Sequence, residues 1–209
     1  KEKATALVWS WFNGSEGGNA LADVLLGNIN PSGKLPWTMP RQLSDSPAHA
    51  THSFPGDQIV EYKEGLLVGY RWFDAKKIEP LYPFGFGLSY TDFKFSDLKT
   101  NKETYSENET IAVTFNIKNT GKLDGKEVAQ LYISDPESTV QKAIQELKGF
   151  KKVFVKSGTT EKVTLLLPVK ELAYYNEAKK EWVVEPGIYN LKIGNSSRSI
   201  ASEVSVTIK

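Results

Sequence analysis

Hydrophobic and polar positions alternate through the second half of the chain, and this alternation predicts β-strands. Ile111, Val113, Phe115 and Ile117 fall on one face of a strand, with small or polar residues between them. The same period of two recurs in four further segments, at residues 129–133, 163–167, 189–193 and 204–208. Glycine-containing turns separate these segments. About seven short strands spaced in this way are typical of an all-β sandwich of the immunoglobulin or fibronectin type III kind.

The first part of the chain has a different pattern, which indicates an α/β unit. The run Ala6–Phe12 is apolar at nearly every position, and such a run is typical of a strand buried on both faces of a parallel sheet. A glycine-rich turn at 13–18 follows. Leu21 and Leu25 then recur at helical spacing, and Gly27 suits the end of a short helix. The order of strand, turn and helix predicts part of an α/β fold.

Residues 40–73 carry weaker signals. Three prolines, two histidines and several serines and aspartates predict a loop over residues 40–58. Residues 62–73 fit either a short helix or an extended segment. In both cases the side chains expected to be buried are the same: Leu66, Leu67, Tyr70 and Phe73.

The change of pattern predicts a domain boundary near Pro83–Thr91. We therefore expect an α/β portion at residues 1–91 and a β-sandwich at residues 92–209. The junction has no long polar linker and contains several aromatic side chains. Such a junction is expected to be packed, so the two parts should dock firmly against each other.

Composition and charge exclude several classes of partner and site. With 26 basic and 25 acidic residues the formal net charge is +1, so nothing favours nucleic acid or an anionic membrane as partner. No apolar run approaches the roughly 20 residues of a membrane span. There is no cysteine, which excludes disulfides and thiol chemistry but does not decide the compartment. His49 and His52 lack an evident third ligand and no phosphate-binding loop is matched, so neither a metal nor a cofactor is predicted.

Carboxylates and tryptophans are the candidate site residues. Glu16 lies in the turn after the predicted strand, where ligands gather in open α/β folds, although a carboxylate there also stabilises a helix N-terminus. Trp11 is a candidate for stacking against a sugar, and core packing is the favoured alternative for it and for Trp9, Trp37 and Trp72. Two further carboxylates are expected on a solvated face or in an ion pair with a neighbouring base: Glu61 and Glu64, with Lys63 or Arg71.

Several blocks of the sequence, in order, resemble glycoside hydrolase family 3 β-glucosidases. Trp11–Pro36 resembles the late part of the α/β sandwich domain of that family, and Tyr62–Asp74 resembles the next block. Pro80–Thr91 resembles the segment that ends the domain. The remaining blocks resemble the fibronectin type III-like tail of the family: Asn119–Asp135, Leu147–Val153 and Pro186–Gly194. The resemblance covers nearly the whole chain.

The resemblance implies a fold and an activity. The fold is the end of a three-layer α/β sandwich followed by an immunoglobulin/fibronectin type III-like β-sandwich. The activity is that of a retaining β-glucosidase, which needs an aspartate nucleophile from a barrel domain and a general acid/base glutamate about 5 Å away. No motif for either carboxylate occurs here, so no catalytic residue is expected in this chain, and Trp11 and Glu16 stay the substrate-binding candidates. The implied partners are a β-glucoside or oligosaccharide substrate, the barrel and earlier sandwich segments, and a second copy in a homodimer.

Two functions stay open at this point. In the first, the chain is the C-terminal part of a longer β-glucosidase, cut or broken before residue 1, inactive alone and supporting the active-site wall. In the second it is a free-standing carbohydrate-binding or adhesion module. Half an α/β sheet would expose an apolar edge, which argues against the second. A secreted or periplasmic location is favoured over the cytoplasm, and the preference between glucose and xylose is left open.

Overall fold

The computed structural model describes residues 4–56 and 58–209. In the described part of the first 91 residues, helix is limited to α1 (Gly17–Leu25), α2 (Pro47–Ala50), α3 (Tyr70–Ala75) and a 3₁₀ turn at Leu43–Asp45. The helix predicted after the glycine-rich turn is confirmed as α1, and Gly27 takes a φ of 79° just beyond its end. The predicted loop at 40–58 contains the 3₁₀ turn and α2. Among the described residues, no helix is long and apolar enough to cross a bilayer.

The strand predicted at Ala6–Phe12 is wrong for this chain. The segment is irregular, and its side chains are exposed, with Leu7 at 57%, Trp9 at 50% and Phe12 at 105% of their full accessibility. A strand needs a neighbouring strand to satisfy its backbone groups, and the described part of residues 4–91 supplies none beside this segment. Trp11 also has a φ of 54°, which turns the backbone out of the extended conformation.

Helix α3 carries the small apolar core of the first part. Leu67, Trp72 and Phe73 pack together, and Tyr70 is buried beside them. The buried positions expected from the sequence are therefore confirmed for Leu67, Tyr70 and Phe73. The expectation is wrong for Leu66, which is 73% exposed, because the helix begins only at Tyr70 and Leu66 lies in the turn before it.

The rest of the chain forms ten strands. In chain order they are β1 (Phe93–Thr100), β2 (Thr104–Tyr105), β3 (Thr110–Asn119), β4 (Gly125–Ser134), β5 (Glu146–Val155), β6 (Thr160–Pro168), β7 (Tyr174–Asn176), β8 (Glu181–Val183), β9 (Gly187–Ser196) and β10 (Ser199–Ile208). One sheet has the order β1-β3-β6 and the other the order β2-β10-β9-β4-β5, while β7 and β8 form a separate hairpin. The two main sheets form the predicted sandwich.

The alternation along the strands predicts the buried face correctly. Ile111, Val113, Phe115 and Ile117 of β3 are at most 1% exposed. They meet the inward side chains of β4, β6, β9 and β10 in one core. Each fully buried side chain of this size stabilises the fold by roughly 1.5–3 kcal/mol relative to an exposed one. The sandwich thus closes its core with its own strands.

The α/β portion docks on the outer face of β4. Gln130 and Tyr132 alternate with core residues of that strand, and both are buried. The Gln130 side-chain amide donates a hydrogen bond to the carbonyl of Gly85 at 3.1 Å, and the rings of Tyr132 and Tyr70 lie 6.0 Å apart between centroids. The backbone N–H of Leu147 donates to the Tyr70 hydroxyl at 2.8 Å. The firm docking expected from the aromatic junction is confirmed.

Ion pairs also cross the same interface. Lys34 Nζ lies 2.7 Å from Glu127 Oε1, and the two side chains are only 12% and 5% exposed. Lys34 also donates to the carbonyl of Gly87 at 2.9 Å. Arg198 Nε lies 2.8 Å from Asp74 Oδ1 at the end of α3. Burial raises the pKa of Asp74 above its usual range, although Arg198 acts in the opposite direction.

Candidate functional site

Three tryptophans meet on the surface of the α/β portion, and we call them the tryptophan cluster: Trp9, Trp11 and Trp37. Their ring centroids are 5.7 Å (Trp9–Trp11), 6.2 Å (Trp9–Trp37) and 6.5 Å (Trp11–Trp37) apart. Between 37% and 52% of each side chain stays exposed. The expectation that these rings pack in a core is therefore wrong for this chain. It is confirmed for Trp72, which is 7% exposed and donates its indole N–H to the carbonyl of Asp45 at 3.2 Å.

Glu16, the other candidate, occupies the N-cap position of α1 but makes no side-chain hydrogen bond to the helix backbone. Its carboxylate accepts a hydrogen bond from the Asn19 side-chain amide at 2.6 Å. The positive end of the helix dipole favours a negative charge there. Trp11 precedes the glycine-rich turn and Glu16 lies within it, and both side chains are exposed. Together they offer an aromatic face and a hydrogen-bonding carboxylate, which are groups that contact sugars. The hydrogen bond of Glu16 is to the amide of Asn19, so Glu16 is not paired with a second carboxyl group.

Glu61 and Glu64 differ in their surroundings. Glu61 Oε2 lies 3.4 Å from Lys63 Nζ, and both side chains are more than half exposed, as expected for a solvated face. Arg71 pairs instead with Glu146 of β5 at 3.1 Å. One oxygen of Glu64 and the Nε of Arg71 are buried without a hydrogen-bond partner in the described structure. A polar atom that is buried without a hydrogen-bond partner destabilises the fold, so the hydrogen-bonding capacity of Glu64 and Arg71 is incompletely satisfied.

The two histidines do not converge on a ligand site. The ring of His49 packs edge-on against Phe54, with centroids 5.1 Å apart, and His52 is exposed with a φ of 57°. Among residues 4–56 and 58–209, no group of three or more histidine or acidic side chains is arranged to hold a metal ion. An open cleft of about 280 Å³ beside this loop is lined by His52, Glu61 and Lys63, among others.

A pair of carboxylates that the sequence did not single out lies at one end of the sandwich. Asp135 Oδ2 and Glu185 Oε2 each lie 2.7 Å from the same Lys142 Nζ. The two carboxylate oxygens are therefore at most a little over 5 Å apart. A retaining glycosidase requires its two carboxyl groups to be about 5 Å apart, so the pair is close enough to be compared with such a site. Ser138 and Thr139 also donate hydrogen bonds to Glu185. No periodicity or motif links these positions, so only the fold brings them together.

The surroundings of this pair are unsuited to glycoside hydrolysis. Burial alone would raise the pKa of Glu185, but hydrogen bonds from Lys142, Thr139 and Ser138 outweigh it and lower the pKa to about 2. A carboxyl with such a pKa cannot be a general acid near neutral pH. The cavity beside Asp135 and Lys142 measures about 20 Å³, far below the several hundred Å³ of a ligand pocket. We therefore assign a structural role to Asp135, Lys142 and Glu185.

Two protein-family models match the chain in sequence order. Residues 1–90 match the glycosyl hydrolase family 3 C-terminal domain. Residues 127–197 match the fibronectin type III-like domain. The second match lies within the β-sandwich and the first within the α/β portion, so the two models follow the two parts of the fold.

Individual relatives give the same picture. Thermostable beta-glucosidase B of Acetivibrio thermocellus is 48% identical over 208 residues, which cover 99% of this chain and 27% of that protein. The crystal structure of a GH3 beta-glucosidase from Bifidobacterium adolescentis superposes with a TM-score of 0.88 at 40% identity, over 95% of this chain and 29% of that one. Beta-glucosidase 3B of Thermotoga neapolitana, solved with α-D-glucose, gives a TM-score of 0.86 at 45% identity, over 94% of this chain and 27% of that one.

The chain therefore spans little more than a quarter of the length of the relatives it matches. Both the resemblance seen in the sequence blocks and the predicted order of an α/β portion before a fibronectin-like sandwich are confirmed. The chain belongs to glycosyl hydrolase family 3, as the C-terminal domain of that family followed by its fibronectin type III-like domain.

Proposed function

We propose that the chain works as the C-terminal part of a retaining β-glucosidase that hydrolyses terminal β-D-glucosyl residues of β-glucosides and short oligosaccharides. The observation that carries the proposal is the ordered match to two domains of the family over about a quarter of each full-length β-glucosidase. The role of this part is structural. It completes the α/β domain and supports the wall of an active site whose catalytic carboxylates belong to the rest of the enzyme.

The distribution of exposed apolar side chains supports this role. Phe12, Leu25 and Leu26 are 105%, 63% and 77% exposed, and Leu7 and Trp9 are also at least half exposed. We call residues 7–12 and 25–29 the N-terminal apolar surface. A contiguous apolar surface marks a site of protein contact. The occupant that fits is the remainder of the α/β domain, because a strand and a helix packed on this surface would give Ala6–Phe12 the neighbours that it lacks.

The division of labour within the chain follows from the same proposal. We place the α/β portion at residues 1–91 and the β-sandwich at residues 92–209, with β1 beginning at Phe93. Trp11 and Glu16 are the proposed substrate-contacting residues of this chain, as a stacking face and a hydrogen-bonding carboxylate. The aspartate nucleophile and the acid/base glutamate are proposed to lie in other parts of the enzyme. A homodimer of the complete enzyme is a further part of the proposal, which light scattering would test.

A chimera tests the proposal directly. The chain is expressed alone and also in place of the matching C-terminal quarter of the Acetivibrio thermocellus β-glucosidase, to which it is 48% identical. Hydrolysis of an aryl β-glucoside is expected for the chimera and not for the chain alone. Turnover by the purified chain, or a folded but inactive chimera, would contradict the proposal. A folded but inactive chimera, together with an isolated chain that is monomeric and stable without any partner, would favour the alternative of a free-standing binding module.

A further inference from the structure

The hairpin β7–β8 presents an exposed pair of aromatic rings. Tyr175 and Trp182 are directly opposite each other in the antiparallel register. Their ring centroids are 5.7 Å apart with an interplanar angle of 67°, and the side chains are 49% and 70% exposed. Residues next to each of them in sequence point to the other face of the hairpin. The two rings therefore form one surface feature, which we call the hairpin aromatic pair.

The hairpin is held firmly on the end of the sandwich. On its inner face the Tyr174 ring lies under Lys142, with Nζ 4.9 Å from the centroid, and Lys142 is fixed by Asp135 and Glu185. Val184, just beyond β8, packs against the core of the sandwich. A site on a rigid element loses little conformational entropy when it binds. The hairpin thus holds the aromatic pair in a defined position on the sandwich.

The turn of the hairpin is equally well defined. The Asn176 side chain accepts a hydrogen bond from the backbone N–H of Lys179 at 3.0 Å, and its carbonyl accepts one from Lys180 at 2.7 Å. Lys179 and Glu181 pair at this turn, with Nζ and Oε1 4.0 Å apart and side chains about 60% exposed. Glu181 precedes Trp182 in sequence, so its side chain points to the face of the hairpin opposite the rings.

The exposure of this pair is not explained by an incomplete core. The sandwich closes its own core, whereas the tryptophan cluster lies in the part of the chain that lacks neighbouring strands. Phe150 and Phe154, the other exposed rings of the sandwich, are 68% and 47% exposed, and neither has a ring partner among the described residues. Tyr175 and Trp182 are therefore the exposed rings of the sandwich that combine a paired arrangement with a firm attachment to the core.

We propose that the hairpin aromatic pair is a secondary sugar-binding surface that takes a glucosyl unit of a β-glucan chain. The face of an aromatic ring carries partial negative charge, and the C–H groups on the face of a β-glucosyl ring carry partial positive charge. The choice of a glucan rests on the proposed function.

Affinity electrophoresis of the 209-residue chain tests the proposal. Native gels contain soluble mixed-linkage β-glucan, dextran as an α-glucan control, or no polysaccharide. The chain is expected to be retarded only by the β-glucan. Trp182→Val keeps a strand-forming residue but removes the ring, and it is expected to weaken binding about tenfold, which corresponds to roughly 1.4 kcal/mol. Trp182→Tyr keeps a ring and should retain most of the retardation, while Phe150→Val, at a matched exposed position, should change nothing.

The outcomes separate cleanly. A wild-type chain that is not retarded, equal retardation of wild type and Trp182→Val, or equal loss in Phe150→Val overturns the proposal. Tryptic cleavage after Lys179 or Lys180 reports whether the hairpin is intact. If Trp182→Val is cleaved faster, Trp182→Tyr decides: retained retardation supports the proposal and lost retardation overturns it. An active chimera with an unretarded chain refutes the sugar surface alone, and a retarded chain with an inactive chimera refutes the parent enzyme alone.

Discussion

The two parts of this chain treat similar apolar segments in opposite ways. Residues Ile111–Ile117 and Ala6–Phe12 are both rich in large apolar side chains, yet those of the first are buried in β3 and those of the second are exposed on an irregular segment. β3 has β1 and β6 as hydrogen-bonded neighbours on its two sides. Ala6–Phe12 has no neighbouring strand in the described structure. The formation of a strand therefore depends on the neighbouring strands as much as on the residues of the strand itself.

The largest expected effect contrasts the two segments directly. Phe115→Ala removes a ring that is 1% exposed in the closed core and should lower the free energy of unfolding by about 3–5 kcal/mol. Trp9→Ala removes a ring that is half exposed and should cost about 1 kcal/mol or less in the isolated chain. Urea denaturation followed by circular dichroism measures both. Equal costs would mean that the tryptophan cluster already belongs to a cooperative core.

A second prediction concerns the join between the two parts. Lys34→Met leaves Glu127 buried without its cation and should destabilise the chain by about 3 kcal/mol. The double variant Lys34→Met/Glu127→Leu should recover most of that loss because no buried charge remains. A double-mutant cycle in urea measures the coupling. A single variant as stable as the wild type would show that the interface adds little to the fold.

A third prediction tests the close approach of two segments within the α/β portion, just before the sandwich begins. A Cβ on Gly87 would lie 2.0 Å from the carbonyl oxygen of Gly33, which is backbone and cannot move aside. Gly87→Ala should therefore cost about 1–3 kcal/mol. Gly18→Ala is the matched control, since a Cβ there meets nothing within 4 Å and alanine suits a helix. Thermal melts compare the two variants, and equal melting temperatures would contradict the tight approach.

The smallest expected effect is a difference in pH dependence. The pKa of Glu185 lies at about 2 in the fold against 4.5 for an ordinary glutamate, so its charged form stabilises the native state. This stabilisation is complete above about pH 4.5 and disappears as the pH falls toward 2. Glu185→Gln should thus melt several degrees below the wild type at pH 6 and with it near pH 2.

The control for that prediction is Glu107→Gln at an exposed position, which should change neither curve. The dependence of stability on pH that is expected from Asp74, at the interface, has the opposite sign to that expected from Glu185. Because burial raises its pKa, the stability that it contributes increases as the pH falls through that pKa. A gap between wild type and Glu185→Gln that widened on acidification would contradict the assigned ion pairs.

The residues that sequence reasoning placed correctly are those with local causes. The alternation at Ile111–Ile117 identified a buried strand face because the period of two is a property of the extended backbone. Gly27 marked the end of α1 because a left-handed φ favours glycine. Leu66 was expected to be buried whether residues 62–73 formed a helix or an extended segment, and this was wrong because Leu66 lies in a turn before α3 begins.

The residues of the candidate sites also fall into those that the sequence indicated and those that only the fold brings together. Trp11 and Glu16 could be named from the sequence because Trp11 lies just before a recognisable turn and Glu16 lies within it. Lys142, Asp135 and Glu185 could not, since they come from segments far apart in the chain and meet only when the sandwich closes. Trp182 was one of several tryptophans in the sequence, and only the register of β7 and β8 sets it beside Tyr175.

The sequence by itself determined the family, the order of the two parts and the inward face of each long strand. The family follows from the resemblance of whole sequence blocks, whereas the order of the parts and the strand faces follow from residue spacing and backbone period, which are local properties. The tertiary structure decided which apolar residues find a partner, how Lys34 and Glu127 close the interface, and which rings stay at the surface. These are questions of which distant segments meet, and burial, ion pairing and ring contacts depend on neighbours that no local pattern specifies.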